Sequence, residues 1–214
     1  LHNRTHSFPT RRSSDLVIII AISGGLYLSA MEPPSPLAIG ELAPDFKLRD
    51  LDGQEHQLSS FKGKYVVLEW TNYECPFVRK HYDTGNMQAL QKKFTGEDVV
   101  WLSICSSAQG KQGHFSPEKW KELVVEKKAN PTAILLDSEG VVGNLYMART
   151  TPEMFIIDPQ GKLVYMGAID DKPGRDHEEI KTAVNYIEQA FAEIKAGKPL
   201  SMPVTRSYGC SVKY

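Results

Sequence analysis

Apolar and polar positions along the chain predict a sheet protein with helices between its strands. Two short half-buried strands, joined by a turn at Asp52 and Gly53, are followed by a loop at Gly63 and the apolar run YVVLEW. This run and two later ones, VVWLSIC and TAILLD, are typical of strands that are buried on both faces. MFIID and KLVYMGAID, with a turn at residues 159–161, predict a β-hairpin.

Apolar residues at helical spacing predict the helices. CPFVRKHYDTGNMQALQKKF is helical apart from a break around Gly85, and SPEKWKELVVEKK is a helix capped by Ser116 with proline at its first position. VVGNLYMA predicts a short helix or turn, and HEEIKTAVNYIEQAFAEIKAG predicts one long amphipathic helix that ends at Gly197. Strands that alternate with helices and end in a hairpin favour an α/β protein with a mixed central sheet flanked by helices.

The chain divides into segments of different character. Residues 1–16 include a stretch that matches one frame of a sequencing-library adaptor, and we interpret them as an artefact. Residues 17–30 are apolar and end in small residues, which favours a truncated signal peptide; a membrane anchor is the alternative. Residues 31–38 form a proline-rich linker, residues 39–198 the domain, and residues 199–214 a tail expected to run over the surface. We therefore expect an exported protein, periplasmic or extracytoplasmic.

Composition and charge narrow the choice of partners. Of the 214 residues, 41% are hydrophobic and 24% charged, which is ordinary for a protein that buries a core. The formal net charge of -1 gives no reason to expect nucleic acid as a partner. The histidines beyond residue 16 show no metal-ligand spacing with any cysteine, and no glycine-rich phosphate loop follows a strand. We therefore expect no metal and no cofactor.

The candidate chemistry centres on Cys75, which follows a buried strand and a polar turn and precedes Pro76 at the start of a helix. The unpaired N–H groups and the dipole of a helix N-terminus favour a thiolate, so this position makes a cysteine nucleophilic. Basic residues at 79–81 add positive potential. The polar residues 71–74 predict a solvent-accessible thiol; the alternative is a buried, inert cysteine.

This order of elements resembles the thioredoxin superfamily, in particular its redoxin and peroxiredoxin-like (AhpC/TSA-type) proteins. The resemblance covers residues 39–196 and implies a thioredoxin-like fold. In the dithiol members the active site is Cys-x-x-Cys; Cys75 matches the first position, and Val78 stands at the second. Peroxiredoxins carry Pro-x-x-x-Thr/Ser-x-x-Cys, and Leu68 and Asn72 stand at the two supporting positions. The chain thus resembles the group with a single first-position cysteine.

The resemblance also implies a substrate cleft around this cysteine. In the superfamily a cis-proline faces the reactive sulfur, and the motif TTP before the hairpin matches it. The residue before this proline offers backbone hydrogen bonds to an extended substrate. The predicted cleft residues are Thr71, Asn72, Pro76, Thr151 and Pro152.

Glu69 and Cys210 are two further candidates. Dithiol members often keep a buried acid at the position of Glu69, where it would accept or return a proton beside Cys75; the alternative is a strand-end glutamate that faces solvent or pairs with a lysine. Cys210 lies beside Gly209 in the tail and could reach Cys75 to form a disulfide. The alternatives for Cys210 are an unpaired thiol or a disulfide to another chain. Cys105 ends a buried strand and is expected to be a core residue.

These observations predict a thiol-dependent oxidoreductase with Cys75 as its nucleophile. In one version the thiolate reduces a peroxide, becomes a sulfenic acid, and is resolved by Cys210 or an external thiol. In another version the protein is a monothiol reductase of protein or small-molecule disulfides. In a third version the protein is a non-catalytic binding module. The expected partners are a peroxide or disulfide substrate, an external thiol reductant or thioredoxin-like donor, and a membrane if residues 17–30 remain attached.

Overall fold

The computed structural model describes residues 37–214, and the fold of this part of the chain is built on short strands. They are β1 (Lys47–Asp50), β2 (Glu55–Gln57), β3 (Val66–Trp70), β4 (Val100–Cys105), β5 (Ala133–Leu136), β6 (Thr150–Thr151), β7 (Glu153–Ile157), β8 (Leu163–Gly167) and β9 (Cys210–Ser211). Seven of them form one mixed sheet in the order β2-β1-β5-β4-β3-β7-β8, and β6 pairs with β9. The predicted adaptor segment at 1–16 and the signal or anchor at 17–30 lie outside the described residues.

Helices connect the strands where apolar spacing predicts them. Ser116 caps the helix that begins at Pro117 by accepting a hydrogen bond from a backbone N–H of the first turn. Gly85, with a φ of 77°, separates the two helices on either side of it, as the predicted break requires. The helices are α1 (Pro76–Asp83), α2 (Asn86–Gly96), α3 (Pro117–Lys127), α4 (Val141–Leu145) and α5 (Tyr186–Lys195).

The central strands β3 and β4 are parallel and buried along their whole length, as their apolar runs predict. Successive side chains of a strand point to opposite faces, so Val67 and Trp101 join one core while Leu68 and Leu102 join the other. Residues of α1, α2, α3 and α5 pack into the first core, and residues of α4 pack into the second. The prediction of a mixed sheet flanked by helices is therefore confirmed.

The predicted single helix at residues 177–197 is wrong. A 3-10 turn covers His177–Thr182, and α5 begins only after Asn185. The side-chain oxygen of Asn185 accepts hydrogen bonds from two backbone N–H groups in the first turn of α5, so it caps a new helix. The apolar periodicity continues without a break through Asn185, so the sequence pattern does not show that a new helix begins there.

The tail lies along the surface of the domain, where its residues are half-buried or exposed, and backbone pairing holds it in place. Its start follows the edge of β8, where the backbone of Met166 donates to Pro203 O and accepts from Thr205 N. Its end places β9 beside β6 and sets the ring of Tyr214 against the start of α4. Backbone pairing and the contact of the Tyr214 ring therefore fix a segment for which sequence periodicity predicts no element.

Within residues 37–214, no helix combines the length and the apolar character that a membrane span requires.

Candidate active site

Cys75 is the N-cap residue of α1, at the end of a tight turn that leaves β3. Its backbone N–H donates to the carbonyl of Asn72 at 2.9 Å, and the side-chain oxygen of Asn72 accepts from the backbone N–H of Glu74 at 2.9 Å. Proline follows at the first helical position, as predicted. The Cys75 side chain is 0% exposed, so the expectation of a solvent-accessible thiol is wrong.

The peptide bond between Thr151 and Pro152 is cis, as the resemblance implies. The Cys75 thiol donates a hydrogen bond to the carbonyl of Thr151, with sulfur and oxygen 3.1 Å apart. Cysteine and proline therefore face each other at the start of β7. Thr151 is itself buried, so this contact is shielded from solvent.

The tail brings Cys210 to the same place. β9 pairs antiparallel with β6, with Thr151 opposite Cys210 and Thr150 opposite Ser211. Gly209 approaches so closely that a Cβ atom there would collide with the carbonyl of Thr151. Cys75 and Cys210 are both free thiols in this structure, and they lie close enough that each shifts the pKa of the other.

This contact makes the two thiols chemically different. Burial opposes ionisation of Cys75, but the polar groups around its sulfur, first among them the thiol of Cys210, outweigh burial and hold the pKa of Cys75 below its usual value. Burial, together with the hydrogen bond to Cys75 and the charge of that sulfur, raises the pKa of Cys210 to about 12. Cys75 is therefore the more acidic thiol of the pair and the one that more readily becomes a thiolate nucleophile, whereas Cys210 keeps its proton near pH 7.

The predicted cleft residues surround this pair, but they do not line an open cleft. Thr71, Asn72, Thr151 and Pro152 are buried and Pro76 is half-buried. β9 covers the position that the resemblance assigns to an extended substrate. The hydroxyls of Thr71 and Thr151 are buried and have no hydrogen-bond partner among residues 37–214.

Glu69 is fully buried in β3, which excludes the alternative that it faces solvent. Its carboxylate accepts hydrogen bonds from four side chains, an arrangement that satisfies a buried carboxylate as an acceptor. The donors are Tyr82 Oη at 3.0 Å, Gln91 Nε2 at 3.1 Å, Trp101 Nε1 at 2.9 Å and Ser103 Oγ at 2.8 Å. Cys75 is not among the hydrogen-bond partners of Glu69 in the described residues, so proton transfer between them stays a prediction.

A polar cluster that the sequence patterns do not reveal lies beside the tail, and it is made of His81 on α1, Asp170 after β8, and Tyr208 of the tail. We call it the Tyr208 cluster. The hydroxyl of Tyr208 lies 3.1 Å from His81 Nε2 and 2.5 Å from Asp170 Oδ1. The signal that could have found it is a histidine, preceded by Lys80, on a helix face that also carries apolar residues. The partners are distant in sequence, and spacing alone does not join them.

Cys105 is buried at the end of β4, as predicted. Burial raises the pKa of its thiol above the usual value, and its sulfur donates to the carbonyl of Gly113 at 3.5 Å. It is therefore unreactive by its surroundings. Among residues 37–214, no three His, Cys, Asp or Glu side chains gather in a way that could hold a metal ion.

The family model described as the AhpC/TSA family matches residues 39–166 of this chain. The match covers more than half of the chain, and it spans both Cys75 and the cis-proline. The chain therefore belongs to the AhpC/TSA family.

Individual relatives agree with this assignment. The thiol-disulfide oxidoreductase ResA of Geobacillus kaustophilus is 28% identical over 149 residues, which cover 69% of this chain and 79% of that protein. Peroxiredoxin Bcp of Bacillus subtilis is 28% identical over 152 residues, which cover 60% of this chain and 83% of that protein. A crystal structure of an uncharacterized conserved protein from Geobacillus kaustophilus matches with a TM-score of 0.70 and 26% identity, covering 84% of this chain and 94% of that one.

The thioredoxin-like fold and the thiol-dependent oxidoreductase class predicted from the sequence are confirmed by these findings. The relatives include both a disulfide oxidoreductase and a peroxiredoxin, so the class alone does not choose between the two reactions.

Proposed function

We propose that the protein is a thiol–disulfide oxidoreductase whose redox centre is the pair Cys75 and Cys210. The observation that carries this proposal is the register of β9, which sets Cys210 opposite Thr151, the residue whose carbonyl accepts the hydrogen bond of the Cys75 thiol. Val78 occupies the position at which a Cys-x-x-Cys site carries its second cysteine. In this protein the tail then supplies the second cysteine of the dithiol centre.

The opposite pKa shifts assign the order of the steps. Cys75 thiolate attacks one sulfur of a substrate disulfide; a mixed disulfide forms and the other sulfur leaves as a thiolate, which takes up a proton. The thiol of Cys210 then loses its proton and attacks the sulfur of Cys75, which releases the second substrate thiol. The substrate gains two electrons and two protons, and the Cys75–Cys210 pair is oxidised to a disulfide. An external dithiol reductant or thioredoxin-like donor returns the pair to its reduced form.

Two side chains favour disulfide exchange over peroxide reduction. Leu68 and Asn72 stand where peroxiredoxins carry their supporting proline and hydroxyl residue. Leu68 points into the core on the face of the sheet opposite Cys75. The amide of Asn72 is used by the turn, since its nitrogen donates to Gln112 O at 3.2 Å and its oxygen accepts from a backbone N–H. Neither side chain is free to bind a peroxide.

Peroxide reduction is the second candidate, favoured by the similarity to peroxiredoxin Bcp. The two functions share Cys75 and differ in what it attacks. In the peroxide reaction Cys75 becomes a sulfenic acid with loss of water or alcohol, and Cys210 displaces hydroxide from it to give the same intramolecular disulfide.

The test is to mix the reduced protein with glutathione disulfide or, separately, with hydrogen peroxide, and then to measure its intact mass and its number of free thiols. We expect wild type to lose two hydrogens with glutathione disulfide, and Cys210→Ser to keep one glutathione bound through Cys75. Cys105→Ser is the matched control and should behave as wild type, because Cys105 is buried away from the pair. A faster reaction with peroxide than with the disulfide would select the peroxidase, and no reaction of Cys75 with either would overturn both functions.

Export of the protein stays a proposal. A redox pair that cycles between thiols and a disulfide suits an oxidising, extracytoplasmic compartment with a dedicated reductant. The predicted signal or anchor at residues 17–30 would supply the route, and with an anchor the protein would stay attached to the membrane.

A further inference from the structure

Tyr208 lies two residues before Cys210 and joins the tail to two other elements. His81 Nδ1 accepts a hydrogen bond from the amide of Asn86 at 2.9 Å, so the proton of the imidazole is on Nε2. His81 Nε2 donates to the Tyr208 hydroxyl at 3.1 Å, and that hydroxyl donates to Asp170 Oδ1 at 2.5 Å. The hydroxyl is therefore used once as an acceptor and once as a donor.

The protonation states agree with this chain of hydrogen bonds. Burial and the charge of Lys80 lower the pKa of His81 to about 3, so its ring is neutral near pH 7. Burial and the charge of Asp170 raise the pKa of Tyr208, so its hydroxyl keeps its proton and remains a donor. The arrangement is thus a fixed set of donors and acceptors around one tail residue.

Helix α1 positions the nucleophile and also contacts the tail. Cys75 caps its N-terminus, and within its first two turns Phe77, Lys80 and His81 all contact Tyr208. The rings of Phe77 and Tyr208 have centroids 6.1 Å apart, and Lys80 Nζ lies 5.2 Å from the centroid of the Tyr208 ring. Because the helix that Cys75 caps also contacts Tyr208, these contacts set the position of Cys210 relative to the nucleophile.

We propose that Tyr208 is a positioning residue for the second step of the exchange, in which Cys210 attacks the mixed disulfide on Cys75. Its hydroxyl, held between His81 and Asp170, keeps the tail docked and gives Cys210 a high local concentration at the sulfur of Cys75. This inference rests on the proposed function, since it concerns how that disulfide is formed.

Tyr208→Phe is the informative variant because it removes only the hydroxyl. The ring contacts with Phe77 and Lys80 remain. Among the described residues Asp170 Oδ2 has no hydrogen-bond partner, and it lies 3.9 Å from His81 Nε2, so these two groups can pair directly once the hydroxyl is absent. We therefore expect the variant to fold.

The experiment separates the two chemical steps by rapid quenching and intact mass after mixing reduced protein with glutathione disulfide. The first rate is the appearance of the glutathione adduct, and the second is its conversion to the species that has lost two hydrogens. In Tyr208→Phe we expect the second rate to fall about tenfold, the effect of one hydrogen bond to a charged partner. The first rate should be unchanged or faster, because the tail covers Cys75.

Tyr146→Phe is the matched control, since its buried hydroxyl donates to Pro44 O at 2.7 Å in the other core. Both of its rates should equal those of wild type. If both rates of Tyr208→Phe fall together, or neither changes while wild type still forms the disulfide, the positioning role is wrong. If wild type itself forms no Cys75–Cys210 disulfide, the proposed function fails first, so the two failures are distinguishable.

Discussion

The thiol of Cys75 donates a hydrogen bond to the carbonyl of Thr151, with sulfur and oxygen 3.1 Å apart. Thr151 is also the residue that β9 places opposite Cys210. One residue therefore contacts the nucleophile and fixes the register of the second cysteine. Substitutions that disturb the β6–β9 pairing should change the reactivity of Cys75 much more than they change the stability of the domain.

Gly209→Ala should undock the tail. A Cβ atom at this position would collide with the carbonyl of Thr151, and the φ of 135° is one that L-residues rarely adopt. Strain of about 1–3 kcal/mol would favour the undocked tail and speed alkylation of Cys75 by roughly tenfold or more. The rate is read by peptide mapping after timed exposure of the reduced protein to iodoacetamide.

Gly197→Ala is the control for this variant, because Gly197 also has a positive φ, of 65°, but open space around its Cα. Its Cys75 should alkylate at the wild-type rate. Equal rates in Gly209→Ala and wild type would show that the tail does not shield Cys75 in solution.

Replacing Cys210 should move the pH dependence of Cys75 alkylation. Cys210→Ala removes the hydrogen bond that helps to hold the pKa of Cys75 below its usual value, while most of the burial that opposes ionisation remains. The midpoint of the alkylation rate against pH should therefore move to higher pH. Cys210→Ser keeps a donor and should lie closer to wild type; superimposable profiles for all three proteins would contradict the assigned hydrogen bond.

Glu69→Gln should destabilise the domain. The four donors that surround the carboxylate would meet an NH₂ group in place of one acceptor oxygen. We expect the free energy of unfolding to fall by about 1–3 kcal/mol, the cost of leaving buried donors unpaired. Urea titration measures it, with the exposed Glu139→Gln as a neutral control; equal midpoints for Glu69→Gln and wild type would mean that the carboxylate is not needed as an acceptor.

The pH dependence of stability should carry the signature of His81. Burial and Lys80 lower its pKa from 6.5 to about 3 in the folded protein, so between these values the unfolded chain binds more protons. Unfolding free energy should therefore decrease as pH falls below 6.5, by up to about 1.4 kcal/mol per pH unit. Asp170, whose pKa burial raises, opposes this trend at the acidic end, so the slope should be clearest in the upper part of the range.

The comparison for this slope is His81→Gln, which cannot titrate. Urea unfolding across the pH series should give a shallower dependence for the variant than for wild type. Parallel curves would show that His81 is not held neutral in the folded state.

The central strands and the position of Cys75 could be predicted because local sequence determines them. The apolar runs of β3, β4 and β5 match strands buried on both faces, and the Cys-Pro pair matches a helix N-terminus. Glu69 was identified as a candidate buried acid by resemblance, but its four donors come from α1, α2 and β4. Their convergence on one carboxylate depends on the packed sheet, which single-sequence patterns do not contain.

The docked tail could not be predicted for a related reason. β6 and β9 are two residues each, too short for any periodicity to show, and Tyr208 meets His81 only through tertiary packing. The prediction of exposure from the polar turn before Cys75 is wrong because that turn carries no sign of the segment that covers the site. The cover comes from residues more than a hundred positions later in the chain.

The distance along the chain between Cys75 and Cys210 has a consequence for the energetics of the whole molecule. In a Cys-x-x-Cys site the disulfide closes a tiny ring that hardly restricts the unfolded chain. A bond between these two sulfurs would instead close a loop around most of the domain, and removing that freedom from the unfolded state is worth about 4 to 5 kcal/mol. The oxidised protein would then have a larger free energy of unfolding than the reduced protein. By linkage, a substitution that destabilises the folded domain would also make the disulfide easier to reduce.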